Sequence, residues 1–242
     1  MPRFFLPKEE FGTDLILLRG ENANHISRAL RMRVGDEITV CDCANREYRC
    51  RLAGFTADTV EAQILECRDC QSEPPYAATL YMALPKSDKL EWIIQKSVEL
   101  GVGAIVPVKT ERCIMKLDRD VGKKLERWQK IADNAAGQCG RGILPRVREP
   151  MDFAEAVREG AAAELPLFCY EAAAPEAALR CRLPGQAPRT VALFVGSEGG
   201  FSPAEAGAAE ENGWLLTSLG RRILRCETAP VAVLAALAAA YE

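Results

Sequence analysis

The sequence predicts an α/β protein in two parts: a small β domain over residues 1–72 and an α/β domain over 73–242 with a mostly parallel sheet. Three observations predict this. Short strand-like runs separated by polar or glycine turns fill the first part. Glu73-Pro74-Pro75 then breaks the chain with a stiff pair that suits neither a helix nor a central strand. From Ala78 onward strand and helix patterns alternate, which predicts parallel strands covered by helices on both faces.

In the first part, strands are expected over 15–18, 37–43, 47–55 and 59–67. A short helix is expected over 24–33, with Ile26 and Leu30 as its apolar positions and Val34-Gly35-Asp36 closing it. Arg28, Arg31 and Arg33 crowd its end, more positive charge than the negative helix terminus needs.

In the second part, a strand over 78–84 leads to a helix opened by Asp88-x-x-Glu91, with Leu90, Ile93, Ile94 and Val98 on one side and Gly101 at its end. A strand over 104–108 follows, then a long helix over 119–139 with Leu125, Trp128, Ile131, Ala132 and Ala135 inward. Asp152-x-x-Glu155 caps a short helix, and 165–170 is a third strand. Two further apolar runs, 191–195 and 214–219, each end in a glycine loop: Gly196-Ser197-Glu198-Gly199-Gly200-Phe201 and Leu219-Gly220-Arg221-Arg222-Ile223-Leu224-Arg225. Ser202-Pro203-Ala204-Glu205 after the first loop combines an N-cap, a first-turn proline and a capping-box glutamate. Ligands bind at such strand-to-helix turns in open α/β sheets. The alanine-rich tail, 228–241, reads as a buried helix.

At 48% hydrophobic and 27% charged residues, with a formal net charge of −3, the chain reads as soluble and globular. Its charge is unevenly distributed. Residues 109–148 hold 11 basic and 5 acidic side chains, whereas 149–217 hold 4 and 11, so an anionic partner such as RNA suits the first stretch. A solvated helix face is the plainer account of the same charges. No apolar run approaches the ~18 residues of a membrane span, and no signal peptide is visible, so a cytoplasmic protein is expected. Ten cysteines then read as reduced thiols. The spacing of Cys41-x-Cys43 and Cys67-x-x-Cys70 fits no zinc pattern, and no metal is expected.

No P-loop occurs, and no G-x-G-x-x-G follows the 78–84 strand. The single histidine, His25, lies far from the glycine loops in sequence, which argues against a histidine-based triad. What remains is a site of backbone amides, a carboxylate (Glu198) and a guanidinium (Arg225), suited to a reaction in which a bound cofactor carries the reactive group.

These residues resemble a known family. His25…Leu30-Arg31 with Val34-Gly35-Asp36, Leu84-Pro85-Lys86, Gln95-Lys96, Glu99-Leu100-Gly101-Val102, Pro107, Glu111-Arg112-Cys113, Arg127-Trp128, Gln138-Cys139-Gly140-Arg141 and the two glycine loops with Glu227-Thr228-Ala229 recur in order and spacing. The chain is similar to the SPOUT class of knotted methyltransferases and, within it, to the family that methylates N3 of a uridine in small-subunit (16S) ribosomal RNA. Two positions depart from the family pattern: Ser197 stands where Pro is usual, and Cys226 where Thr is usual.

The resemblance implies a PUA-like RNA-binding β-barrel over 1–72 and a SPOUT methyltransferase domain over 73–242 with a trefoil knot. It implies S-adenosylmethionine (SAM) as cofactor, held by Glu171, by Val195, Gly196, Ser197, Glu198 and Gly200, and by Leu219, Gly220, Ile223, Leu224 and Arg225. It implies a homodimer as well. Arg225 is the expected catalytic group, stabilising negative charge on the uracil ring, with Glu198 as orienter or proton acceptor. The alternative roles are a loop-shaping carboxylate for Glu198 and an ion pair with Glu227 or Glu198 for Arg225. Arg28, Arg31, Arg33, Lys86, Arg112 and Arg141 are the expected RNA contacts. Two other readings stay open: a SPOUT enzyme acting on another rRNA or tRNA nucleotide, and a non-catalytic PUA-type RNA-binding protein.

Overall fold

The computed structural model describes residues 1–86, 88–114 and 121–242. It divides into two compact units: Met1–Glu73 with Ala136–Leu144, and Pro74–Ala135 with Pro145–Glu242.

Unit 1 is built on a five-stranded sheet. Its strands are β1 (Arg3–Phe5), β2 (Leu15–Arg19), β3 (Glu37–Cys41), β4 (Arg46–Phe55) and β5 (Thr59–Asp69), in the order β1-β3-β4-β5-β2. Only β1 and β3 pair in parallel. The alternation read from the sequence buries Ile16, Leu18, Ile38, Val40, Leu52 and Val60 in one core with Phe4 and Ile26. Strand β1 was not expected, because three residues carry no periodicity.

The helical stretch starts earlier than 24–33. Helix α1 (Gly20–Asn24) runs into a π-helical turn, His25–Ala29. The helix stops there because Arg31 takes a left-handed backbone conformation, φ +52°. Arg28, Arg31 and Arg33 are therefore exposed but do not share one helix. His25 sits edge-on to Phe4, with ring centroids 5.9 Å apart.

One expected RNA contact is corrected within this unit. Arg141 is 4% exposed, and its guanidinium donates to both carboxylate oxygens of Glu73, at 3.2 and 2.6 Å. Glu73 also accepts the amides of Gly142 and Ile143. Arg141 is a buried structural ion pair, not a surface cation that reaches RNA.

Unit 2 is a seven-stranded sheet in which every pairing is parallel. Its strands are β6 (Ala77–Ala83), β7 (Ala104–Lys109), β8 (Arg146–Val147), β9 (Met151–Asp152), β10 (Leu165–Cys169), β11 (Thr190–Val195) and β12 (Leu215–Thr217). The order is β12-β10-β11-β6-β7-β8, with β9 on β7. The helices are α2 (Lys89–Glu99), α3 (Val121–Cys139, whose last residues belong to unit 1), α4 (Phe153–Gly160), α5 (Leu179–Arg182), α6 (Pro203–Glu211) and α7 (Thr228–Tyr241). The expected start of the long helix at 119 lies outside the described residues. The two-residue strands β8 and β9 and the short α5 were not expected.

Three helix starts were read from capping patterns. At α6 the Ser202–Glu205 capping box forms in full. At α2 and α4 the Asp88 and Asp152 side chains make no cap bond. Glu91 instead pairs with Arg127 at 2.8 Å, and Asp152 accepts from Lys109 at 3.3 Å.

The unit 2 core includes a cluster of rings: Tyr81, Phe153, Phe168, Phe194, Phe201 and Trp214. Trp214 Nε1 donates to the Val157 carbonyl at 2.9 Å, which fixes the indole against α4. There it meets Gly160, where an added Cβ would lie 2.3 Å from the indole ring and 2.9 Å from Tyr81. Gly160→Ala gains at most ~1 kcal/mol of helix propensity. Overpacking costs ~1–3 kcal/mol, so the substitution is expected to destabilise the fold. A thermal midpoint in Gly160→Ala equal to or above the parent's would contradict this packing.

Candidate active site

Because unit 2 is parallel throughout, the loops after β6, β10, β11 and β12 leave from one edge of the sheet, and these four strands are neighbours. The last three loops enclose a cavity of about 550 Å³. Its wall is residues 169–171, 195–201 and 217–226, with Lys89 and Ala229. Every residue expected at the cofactor lies on this wall: Glu171, Val195, Gly196, Ser197, Glu198, Gly200, Leu219, Gly220, Ile223, Leu224 and Arg225.

The first glycine loop is a tight turn in which the Gly200 amide donates to the Ser197 carbonyl at 3.0 Å. Gly200 has φ +64°, and a Cβ there would meet a Glu171 carboxylate oxygen at 2.8 Å. Position 200 therefore needs glycine both for its backbone conformation and for the close approach of Glu171. The Ser197 hydroxyl is buried and has no hydrogen-bond partner among the described residues. Gly220 has φ +113° with open space where a Cβ would stand.

Glu198 is held by two groups. Both its carboxylate oxygens accept the Lys86 amide at 3.2 Å, and Lys89 Nζ lies 3.0 Å from Oε1. The same ammonium lies 3.2 Å from Glu227 Oε2, and the Cys226 thiol donates to that oxygen at 3.1 Å. Burial pushes the Glu198 carboxyl up. Bonds from backbone amides and from Lys89 outweigh it and hold the group below its usual range. Burial likewise raises Glu227, and its bonds from Cys226, the backbone and Lys89 prevail, so it too is lowered. Lys89 is raised by its two carboxylate partners, Glu198 first. Both carboxylates are therefore ionised at neutral pH, and Glu198 is a weak base.

Arg225 is exposed, and its guanidinium makes no hydrogen bond or ion pair with a described residue. The ion pair with Glu198 or Glu227, weighed as its alternative role, is made by Lys89 instead. Sequence reasoning missed Lys89 because it reads as an ordinary helix residue, and no spacing connects positions 89, 198 and 227. Among the expected RNA contacts, Arg112 donates to the Gly199 carbonyl at 3.0 Å, so it also braces the glycine loop. The Lys86 ammonium has no partner among the described residues. Arg28, Arg31 and Arg33 belong to unit 1.

Comparison with known proteins places the chain. Residues 72–238 match the model of the RNA methyltransferase domain, and 18–65 match the RNA methyltransferase PUA domain. Ribosomal RNA small subunit methyltransferase E of Bacillus subtilis (strain 168) is 35% identical, over 91% of this chain and 88% of the relative. The chain belongs to this RNA methyltransferase family. A Neisseria gonorrhoeae ribosomal RNA small subunit methyltransferase E, solved bound to S-adenosyl methionine, is 33% identical with a TM-score of 0.89. It covers 100% of this chain and is itself covered to 98%. A Legionella pneumophila chain solved in complex with SAM is 36% identical with a TM-score of 0.87, over 98% and 97% of the two chains. The α/β architecture of this family member, with its N-terminal PUA-like β region and parallel C-terminal sheet, matches these structures.

The Lys89 bridge gives this family member a definite pH signature. Glu198 and Glu227 are lowered on folding, so their contribution is present above about pH 4, the unfolded carboxylate range, and fades as pH falls through their folded values. Lys89 is raised, so its contribution is full below about pH 10 and fades as pH rises through its folded value. Lys89→Met removes the shared counter-charge. Its deficit in thermal midpoint against the parent should be largest near neutrality and shrink toward both extremes in calorimetry. A deficit independent of pH would mean that Lys89 acts through packing alone.

Proposed function

We propose that this chain is a SAM-dependent methyltransferase that methylates N3 of a uridine in small-subunit ribosomal RNA, working as a homodimer in the cytoplasm. The observation that carries the reading is the exposed guanidinium of Arg225, without a partner among the described residues, on the wall of a glycine-lined cavity in a chain whose relatives are small-subunit rRNA methyltransferases. Relatives solved with SAM support the choice of cofactor.

The cavity suits that cofactor on its own terms. About 550 Å³ lies within the ~300–1,000 Å³ of small-molecule clefts. Its lining offers glycine backbone, the unpartnered Ser197 hydroxyl and the Glu171 carboxylate. Glu171, Val195, Gly196, Ser197, Glu198, Gly200, Leu219, Gly220, Ile223, Leu224 and Arg225 would hold the cofactor, which when bound supplies an electrophilic methyl group on a sulfonium.

The chain's own groups deal with the base. Uridine N3 is a poor nucleophile while protonated; giving its proton to solvent water frees the N3 lone pair and spreads the negative charge onto O2 and O4. The Arg225 fork supplies two aligned donors for that charge. Glu198 is already ionised and anchored to Lys89 and the Lys86 amide, so its part is to orient the site rather than to take the proton. The exposed Arg28, Arg31 and Arg33, together with the Lys86 ammonium, serve RNA affinity.

Two experiments test the reading. Mass mapping of small-subunit rRNA with and without the enzyme should locate one N3-methyluridine that depends on it; an unchanged modification map would remove the assignment. In single-turnover assays Arg225→Lys keeps the charge but loses the planar fork. It should methylate ~10²–10³-fold more slowly. SAM affinity and melting temperature should stay near the parent's, and higher pH should partly rescue the rate. Simultaneous loss of SAM binding and stability would make Arg225 a structural residue.

A further inference from the structure

Arg221 and Arg222 sit side by side on the loop after β12, between Gly220 and Ile223. Both line the cavity, both are exposed, and neither has a hydrogen bond or ion pair with a described residue. This contrasts with many of the surface arginines of unit 2. Arg127 pairs with Glu91, Arg148 with Glu159 and Arg189 with Glu164, while Arg112 and Arg182 bond backbone carbonyls. Of the nearby acidic groups, Glu198 on the wall and Glu227 beside it share Lys89, and Glu171 on the wall forms no ion pair with a described residue. Two adjacent guanidinium groups at the edge of the cavity thus have no ion-pair partner among the described residues. Isolated like charges one residue apart repel each other, and an anionic partner relieves that.

We propose that Arg221 and Arg222 grip the phosphate backbone of the single-stranded RNA segment that carries the target nucleotide. The inference rests on the methyltransferase reading above and assigns this loop two tasks. Its backbone and Arg225 serve the cofactor and the reacting base. Arg221 and Arg222 serve the strand on either side of that base. Single-stranded RNA is the fitting partner because a base must leave its stack to reach a reactive group held inside a cavity. Phosphate contacts fix the register of the strand while adding no sequence information of their own.

The test compares Arg221→Ala/Arg222→Ala with a matched control, Arg158→Ala/Arg180→Ala. The control removes two exposed arginines that do not line the cavity. The probe is an RNA fragment of the small subunit that the parent enzyme methylates, titrated at several salt concentrations. Each phosphate contact on single-stranded RNA contributes ~0.7 to the slope of log affinity against log salt, so losing two should flatten the slope by about 1.4. KM for RNA should rise at least tenfold at moderate salt. SAM affinity by calorimetry and the single-turnover rate at saturating RNA should stay at parental values. The control should keep the parental slope. Equal flattening in both double variants would overturn the proposal in favour of general charge attraction. A loss of SAM affinity, or an unchanged KM and slope, would also overturn it. If the parent methylates no RNA, the methyltransferase reading itself has failed, and that result is distinct from these.

Discussion

All strands of the seven-stranded sheet run parallel, so the loops after β6, β10, β11 and β12 leave one edge together. That constraint gathers residues from Lys89 to Ala229 around one cavity. It also creates a difficulty. Four loop segments leave their strands at one place with polar backbone that the sheet no longer pairs. The chain meets part of this need with carboxylates used as acceptors. Glu198 takes the Lys86 amide, and Glu205 takes the amides of Glu111 and Ser202. The glycine loop is thereby tied to the loops after β6 and β7 as well as to its own helix.

Carboxylates used in this way bring negative charge to the site, and Lys89 answers it. One ammonium lies between Glu198 and Glu227 at 3.0 and 3.2 Å. Because Lys89 satisfies both acids, Arg225 is not drawn into a pair and stays available at the cavity wall. A free guanidinium beside two ionised carboxylates would otherwise be expected to collapse onto them. Among the described residues the wall therefore carries a cation held in ion pairs, Lys89, and a guanidinium without a partner, that of Arg225.

Much of this was legible in the sequence. The apolar runs at β10, β11 and β12 and the glycine loops after two of them located the cavity, because buried parallel strands and glycine turns leave strong local patterns. The Ser202 capping box formed as read. The Asp88 and Asp152 patterns did not, since an exposed aspartate has surface partners that compete with the cap, such as Lys109 for Asp152. The burial of Arg141 and the Lys89 bridge were illegible for a common reason. Each depends on groups brought together by tertiary structure: Arg141 on Glu73, and Lys89 on residues more than a hundred positions away.

The two departures from the family pattern show how such contacts absorb substitution. Cys226 replaces a hydroxyl with a thiol, which by itself threatens a hydrogen bond. Burial pushes this thiol up to about 12, helped by its bond to Glu227 and the nearby negative charge of Glu198 and Glu227. It therefore remains protonated and donates to Glu227 Oε2 at 3.1 Å, the role a hydroxyl would fill. Ser197 replaces the usual proline and gives up a fixed φ. The turn is held instead by the Gly200 amide on the Ser197 carbonyl, Arg112 on the Gly199 carbonyl and the Lys86 amide on Glu198. Three bonds from three segments replace one ring's constraint. The substitution also leaves a buried hydroxyl on the cavity wall with no partner among the described residues. A buried polar group of that kind costs free energy until something binds it. Its place on the wall puts that buried hydroxyl in the lining of the cavity.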